Sequence, residues 1–280
     1  MVDTERPRQL RQFYGGTGVP MRVEHDPGSP ARAWRAHRER LRGWLDALPD
    51  EQWSGPTRCA LWDVSALARH LASGTQFLGY TLHKAKGGTA TSLLKGFDPH
   101  GTVQERAAML GEMTPRQTRE SLAAMDASVL AEMVAIEEVG WSVMAEAPPG
   151  QLPAGLSINH FLFDSWVHEY DLMVPRGERP VIESSEAEAV VTYVVALAAV
   201  AIGSTTPLEL RLIEPELRIG LRVVDGETRV ALDSSPPGAA VIEGRTLDIV
   251  DRATGRKGGP VRGDEPGLAV LDGFGRLLSG

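Results

Sequence analysis

The sequence has a single cysteine, Cys59, so one chain can build neither an internal disulfide nor a thiolate zinc cluster. That usage suits a reducing cytoplasm, which is the expected compartment. Basic residues are outnumbered, 29 Lys plus Arg against 37 Asp plus Glu, for a net charge of -8. Aromatics are scarce at 6% and never interleave with a basic cluster, which disfavours a nucleic-acid groove. The longest charge-free apolar run, from Ala189 to Gly203, falls short of the ~20 residues of a spanning helix and is rich in alanine. It reads as a buried bundle helix, and no membrane partner is expected. The opening MVDTERPRQLRQFYGG carries charge where a signal peptide has its apolar core. What is present is 42% apolar and 24% charged residues over 280 positions, ample for a globular core in one long domain or two unequal ones.

Residues 1–28 show no periodicity and read as an N-terminal extension, a tail or a lid with no role assigned. From Ser29-Pro30, apolar positions recur at helical spacing through Trp34, Leu41, Trp44, Leu45 and Leu48 to Pro49. Val64, Leu67, Ala68 and Leu71 open a second helix that runs towards Leu82 and stops at Gly87-Gly88. Thr114-Pro115-Arg116-Gln117 has the capping-box arrangement and leads a third, through Leu122, Met133 and Ile136 to Val143, closed by Pro148-Pro149-Gly150. A fourth helix is expected from about Ser157 to Val174 and a fifth from about Ser184 to Ile202. Beyond Thr205 the stretches LELRLI, ELRIGLRVV and TRVALD alternate as strands, with Asp225-Gly226 as a hairpin turn. Two short helical patterns follow, Thr246 to Thr254 and about Gly267 to Leu278. The predicted class is α+β: a helical bundle over 29–204 and a small α+β domain over 205–280.

With thiolates absent, the histidines are the first place to look for a metal. In FDSWVHEYD, Asp164 and His168 are four residues apart and project from one helix face. His160 lies one turn earlier, and Asp171 follows His168 by three, placed to orient its second ring nitrogen. Such a stripe is more often solvated surface. Here Phe161, Phe163, Trp166, Val167 and Tyr170 crowd the helix with apolar bulk, so the stripe is expected to point into the bundle. A third ligand must come from another helix, and His70, among Ala66, Leu67 and Leu71, is best placed; the plainer reading is a core histidine bonded to a carbonyl. Two histidines, one carboxylate and an open fourth position form a catalytic zinc pattern that also suits non-haem Fe(II). His25, His37, His83 and His100 read as surface, and Cys59 as a packed thiol with no His or Lys adjoining it. The glycines of TGRKGG lack phosphate-loop spacing, and Arg252, Arg256 and Lys257 read as a solvated helix end.

Three stretches resemble the mycothiol-dependent maleylpyruvate isomerase family, a branch of the DinB-like metal-binding bundles: LPDEQWSGPTRCALWDVSALARHL, DSWVHEYDL and EGRTLDIVDRATGRKGG. The resemblance implies a four-helix bundle joined to a small sterol-carrier-like domain. It also implies a divalent metal, zinc or another, held by His70, Asp164 and His168. Asp171 matches an acid near the metal, and Arg256 looks like an arginine that the second domain contributes; both would meet the thiol or the substrate. Two departures stand out: Asp164 where the isomerase has Glu, and the N-terminal extension. The implied partners are mycothiol and a small-molecule electrophile, the thiol being activated as a metal thiolate for S-transfer, thiol exchange or cis–trans isomerisation. The shorter Asp164 tilts this towards a transferase. Two other readings stand beside it: a non-haem iron oxygenase or sulfur-inserting enzyme on the same bundle, and a metal-free binding module.

Overall fold

The computed structural model describes residues 10–16, 18–24, 26–99 and 101–279. In chain order the elements are β1 (Met21–Glu24), α1 (Ser29–Ala47), α2 (Val64–Lys86), α3 (Gly101–Met109), α4 (Pro115–Val139), β2 (Met144–Ala147), β3 (Gly150–Pro153) and α5 (Ala154–Met173). Then follow α6 (Ser184–Ile202), β4 (Leu208–Leu212), β5 (Leu217–Val224), β6 (Glu227–Leu232), β7 (Ala240–Gly244), α7 (Thr246–Ala253), β8 (Arg262–Gly263) and α8 (Glu265–Ser279). They form two compact units, one of residues 27–181 and one of residues 182–280 together with the segment up to Asp26.

In the 27–181 unit, α1, α2, α4 and α5 pack on one another as a bundle. The apolar faces of Leu41 and Leu45 on α1, Leu67 and Leu71 on α2, Leu122 on α4 and Leu172 on α5 meet around Trp53. Two ends are fixed by side chains: Asp63 accepts from the Ala66 N–H ahead of α2, and Thr114 with Gln117 completes the capping box of α4. Every residue of α5 except Asp164 and Met173 is buried, as expected for a central helix. The third helix ends earlier than the Val143 expected for it. Gly140, at φ +103°, terminates α4, and the chain then pairs β2 with β3 in a hairpin whose turn is Pro148-Pro149. The prolines that read as a helix stop are therefore a strand connection.

The other unit is a six-stranded sheet in the order β1-β6-β5-β4-β7-β8, with α6, α7 and α8 packed against one another. Two expectations are corrected here. The fifth helix was assigned to the bundle and the boundary to 204; α6 instead packs on α7, α8 and the β1, β6 and β5 strands, so the division falls at 182. A helix apolar all round reports burial but not its neighbours, which is why the sequence placed it wrongly. It is long and apolar enough to cross a membrane by length and composition, and most of it is buried within the protein. The second correction concerns the extension. Residues 21–24 form β1, paired in parallel with β6 from Met21 opposite Thr228 to Glu24 opposite Ala231. Four residues are too few for alternation to show.

Candidate metal centre

The site lies within the 27–181 unit, between α2 and α5. Asp164 and His168 project from one face of α5, and His70 reaches them from α2; one ligand atom of each lies within 4.8 Å of the others. His70 Nε2 is 3.3 Å from Asp164 Oδ2, and His168 Nε2 is 3.6 Å from Asp164 Oδ1. The imidazoles stand nearly perpendicular, at 82° with centroids 4.8 Å apart. The two histidine side chains are 12% and 10% exposed and the carboxylate 30%, so Asp164 is the most open of the three to solvent.

The donor set fits a divalent ion. Ligands around a tetrahedral cation with bonds of ~2.0–2.1 Å sit ~3.3 Å apart, close to the two histidine–carboxylate spacings here. His70 Nε2 is buried without a hydrogen bond among the described residues, its approach to Asp164 lacking the required alignment. A buried ring nitrogen in that state is costly, and a cation placed between it and the carboxylate would satisfy both. Burial opposes ionisation of Asp164, but the imidazoles of His70, His168 and His160 outweigh it and hold the carboxyl well below the usual carboxylate range. Burial pushes the His168 imidazole down, Asp164 and Asp171 pulling back, so the ring is neutral at physiological pH, as a ligand must be.

Asp171 sets the tautomer. Its Oδ2 accepts from His168 Nδ1–H at 2.8 Å, which leaves the Nε2 lone pair facing Asp164. Fully buried, it also accepts from Arg58 Nε at 2.9 Å through Oδ1 and from the Cys59 thiol at 3.2 Å through Oδ2. The Arg58 N–H donates to the Asp171 carbonyl, tying the loop before α2 to the end of α5. Thr57 closes that loop, its hydroxyl donating to the Trp62 carbonyl at 2.7 Å and accepting from the Cys59 N–H.

These positions fall within one family pattern: the mycothiol maleylpyruvate isomerase N-terminal domain matches residues 34–173, half of the chain. The chain belongs to this maleylpyruvate isomerase family. Two solved structures share its fold, the mycothiol-dependent maleylpyruvate isomerase and a histidine-to-alanine mutant of that protein. Each has a TM-score of 0.58 at 18% identity, with 86% of this chain and 93% of the other covered. No curated protein matches the chain.

Of the residues singled out from the sequence, His70, Asp164, His168 and Asp171 come together in this member of the family. His160 does not join the triad. It is buried beside the rings of Phe161 and Phe163, and burial pushes it down to about 4 against the pull of Asp164. Arg256 belongs to the other unit, in the turn after α7, where its N–H donates to the Asp251 carbonyl.

Three readings are corrected or extended. His37 is not at the surface: it is fully buried, with Nε2 2.8 Å from Ser165 Oγ and Nδ1 beside Arg40 and Glu169. Arg35, Arg38 and Arg40 lie close to it in sequence, which concealed a core position. His83 is exposed as expected, bonded to Glu132, while His25 and His100 lie outside the described residues. Cys59 packs against the core as expected, yet it also touches Asp171 and lies 3.8 Å from His168 Nδ1. Sequence adjacency could not show a contact made across more than a hundred residues. Arg58 and Trp62 were missed for the same reason; the one available signal was their place in PTRCALWD, directly ahead of the helix that carries His70.

Proposed function

We propose that this protein is a metal-dependent enzyme that uses a low-molecular-weight thiol, mycothiol, as cofactor or co-substrate for chemistry on a small electrophile. The observation that carries the reading is the orphaned, buried Nε2 of His70 facing the Asp164 carboxylate and the Nε2 of His168. His70, Asp164 and His168 would hold the ion, with zinc the proposed metal. A divalent ion there supplies Lewis acidity, which makes a thiol a nucleophile at neutral pH.

The chain's own groups define the rest. Asp171 keeps His168 in the ligating tautomer, and Arg58 holds the Asp171 carboxylate in place. Trp62, with its ring centroid 5.0 Å from that of His70 and 6.1 Å from that of His168, walls the site and limits water. Asp164, the most exposed of the three, marks the side from which small molecules arrive. Asp171 is proposed to assist in holding the thiol.

Addition of the thiol sulfur to an electrophilic carbon forms a C–S bond and moves the π electrons of the acceptor onto its activating group. If that carbon–sulfur bond breaks again after rotation, the thiol is returned and the product is a geometric isomer. If a proton is taken up instead, the product is an S-conjugate. S-transfer is the proposed outcome, on the strength of the resemblance, which implies a longer carboxylate at the position of Asp164.

The test is to load the protein with zinc, incubate it with mycothiol and unsaturated or activated electrophiles, and follow products by mass spectrometry. Thiol-dependent conjugates or isomers, formed equally without oxygen and lost in His168→Ala, support the proposal. A protein that takes up no stoichiometric metal, or a product that forms without the thiol, ends it.

A further inference from the structure

The loop ahead of α2, which carries Arg58, Cys59 and Trp62, is closed on itself. The Val64 N–H donates to the Gly55 carbonyl at 3.2 Å, Pro56 and Asp63 form an antiparallel bridge, and the Thr57 hydroxyl donates to the Trp62 carbonyl. Its shape is therefore its own, and its placement on α5 depends on the bonds between the two. One set joins the backbone and side chain of Arg58 to Asp171. The other belongs to Arg176.

Arg176 ends the 3-10 turn Val174–Arg176 directly after α5, and its half-buried side chain folds back over the helix end. Nη1 donates to the Leu172 carbonyl at 2.6 Å and to the Pro56 carbonyl at 3.3 Å, while Nη2 donates to the Gln52 carbonyl at 3.3 Å. The last carbonyls of a helix need donors from outside it, and an arginine near the C-terminus is a usual source. Capping alone would take one carbonyl; the other two belong to the base of the loop. Gly55 makes the reach possible, since a Cβ there would lie 2.7 Å from Nη2. The Trp44 ring of α1, its centre 5.6 Å from the guanidinium carbon, backs the fork.

We propose that Arg176 is a positioning residue of the metal centre: it fixes the 52–58 segment to the end of α5, and so holds Arg58 against Asp171 and Asp171 against His168 Nδ1. It bonds to none of the three ligands and acts on them through Arg58 and Asp171. The planar fork is what the role needs, because carbonyls from two separate segments are met by one rigid group. The proposal rests on the metal-centre reading for its effect on zinc, whereas the anchoring of the loop is a property of the chain itself.

The experiment compares the native full-length chain with Arg176→Met, Arg176→Lys, Asp171→Ala and the double variant of Arg176→Met with Asp171→Ala. Zinc affinity is read by competition with a chromophoric chelator. Loop placement is read by the rate at which iodoacetamide alkylates Cys59 in the metal-free protein, the single cysteine being a unique reporter. Arg176→Met should weaken zinc binding about tenfold, the lower end for outer partners of a metal-bound histidine, and Arg176→Lys should recover part of this. The decisive arm is the double-mutant cycle. Once Asp171→Ala has removed the carboxylate that links Arg58 to His168, Arg176→Met should cost little more, whereas an effect through general stability would be the same in both backgrounds. Cys59 alkylation should quicken about tenfold in Arg176→Met by local opening, at a urea midpoint that leaves global unfolding too rare to account for it. Native zinc affinity in Arg176→Met, equal losses in the two backgrounds, or an unchanged Cys59 rate overturns the inference. A native chain that takes up no zinc ends the metal reading instead, and the Cys59 rate alone then decides whether Arg176 anchors the loop.

Discussion

At the scale of single residues the centre turns on His168, whose two ring nitrogens have separate tasks: Nδ1 donates to Asp171 and Nε2 faces Asp164. Outer partners of metal-bound histidines typically matter 10–100-fold in affinity. We expect Asp171→Asn to weaken zinc binding by ~10–100-fold in competition with a chromophoric chelator. His70→Ala and His168→Ala should abolish stoichiometric metal by elemental analysis; retention of a full equivalent by either would show that the triad is not the site. The contribution of Asp171 was legible because an acid three residues after His168 falls on the same helix face. That of Arg58 and Cys59 was not, since no local spacing joins them to α5.

At the scale of elements, α1 and α5 are joined by buried polar contacts rather than by apolar packing alone. Arg40 grips Glu169 through Nε at 2.9 Å and a terminal nitrogen at 2.7 Å, with His37 beside both. Burial would raise the Glu169 carboxyl, but His37 and Arg40 outweigh it and hold it below the ordinary 4.5. A depressed carboxylate stabilises the fold fully above its unfolded value, and this contribution fades as the pH falls through the folded one. Glu169→Gln removes the negative charge and turns one acceptor oxygen into an NH2 donor facing Arg40 and His37, and should cost about 3–5 kcal/mol at pH 7 by urea denaturation. The difference from the native protein should shrink below pH 4.5; a constant difference would show that the loss is steric. The capping box makes a smaller claim: Thr114→Ala should lower stability by ~1 kcal/mol without altering metal content.

At the scale of the whole molecule, a ligand that binds only the folded state adds to stability by mass action. Zinc at a hundred times its dissociation constant should contribute about 2.7 kcal/mol, seen as a rise in melting temperature that chelation reverses. In His168→Ala that increment should vanish. A chelator-insensitive melting temperature in the native protein would contradict a closed triad on α2 and α5. The two units also have separate architectures, a bundle and a sheet, and the α6 helix belongs with the sheet.

The sequence by itself determined what depends on local order: the helix periods, the capping box at Thr114, the hairpin at Asp225-Gly226, and the shared face of Asp164 and His168. Each is a relation between residues a few positions apart, where backbone geometry leaves few choices. Only the tertiary structure decided what depends on distance in the chain. It brought His70 to α5, set Cys59 and Arg58 on Asp171, buried His37, paired residues 21–24 with β6 and moved α6 away from the bundle. Hydrophobic burial is non-directional, so an apolar pattern says that a face is covered and leaves its partner to be settled by packing the whole chain at once.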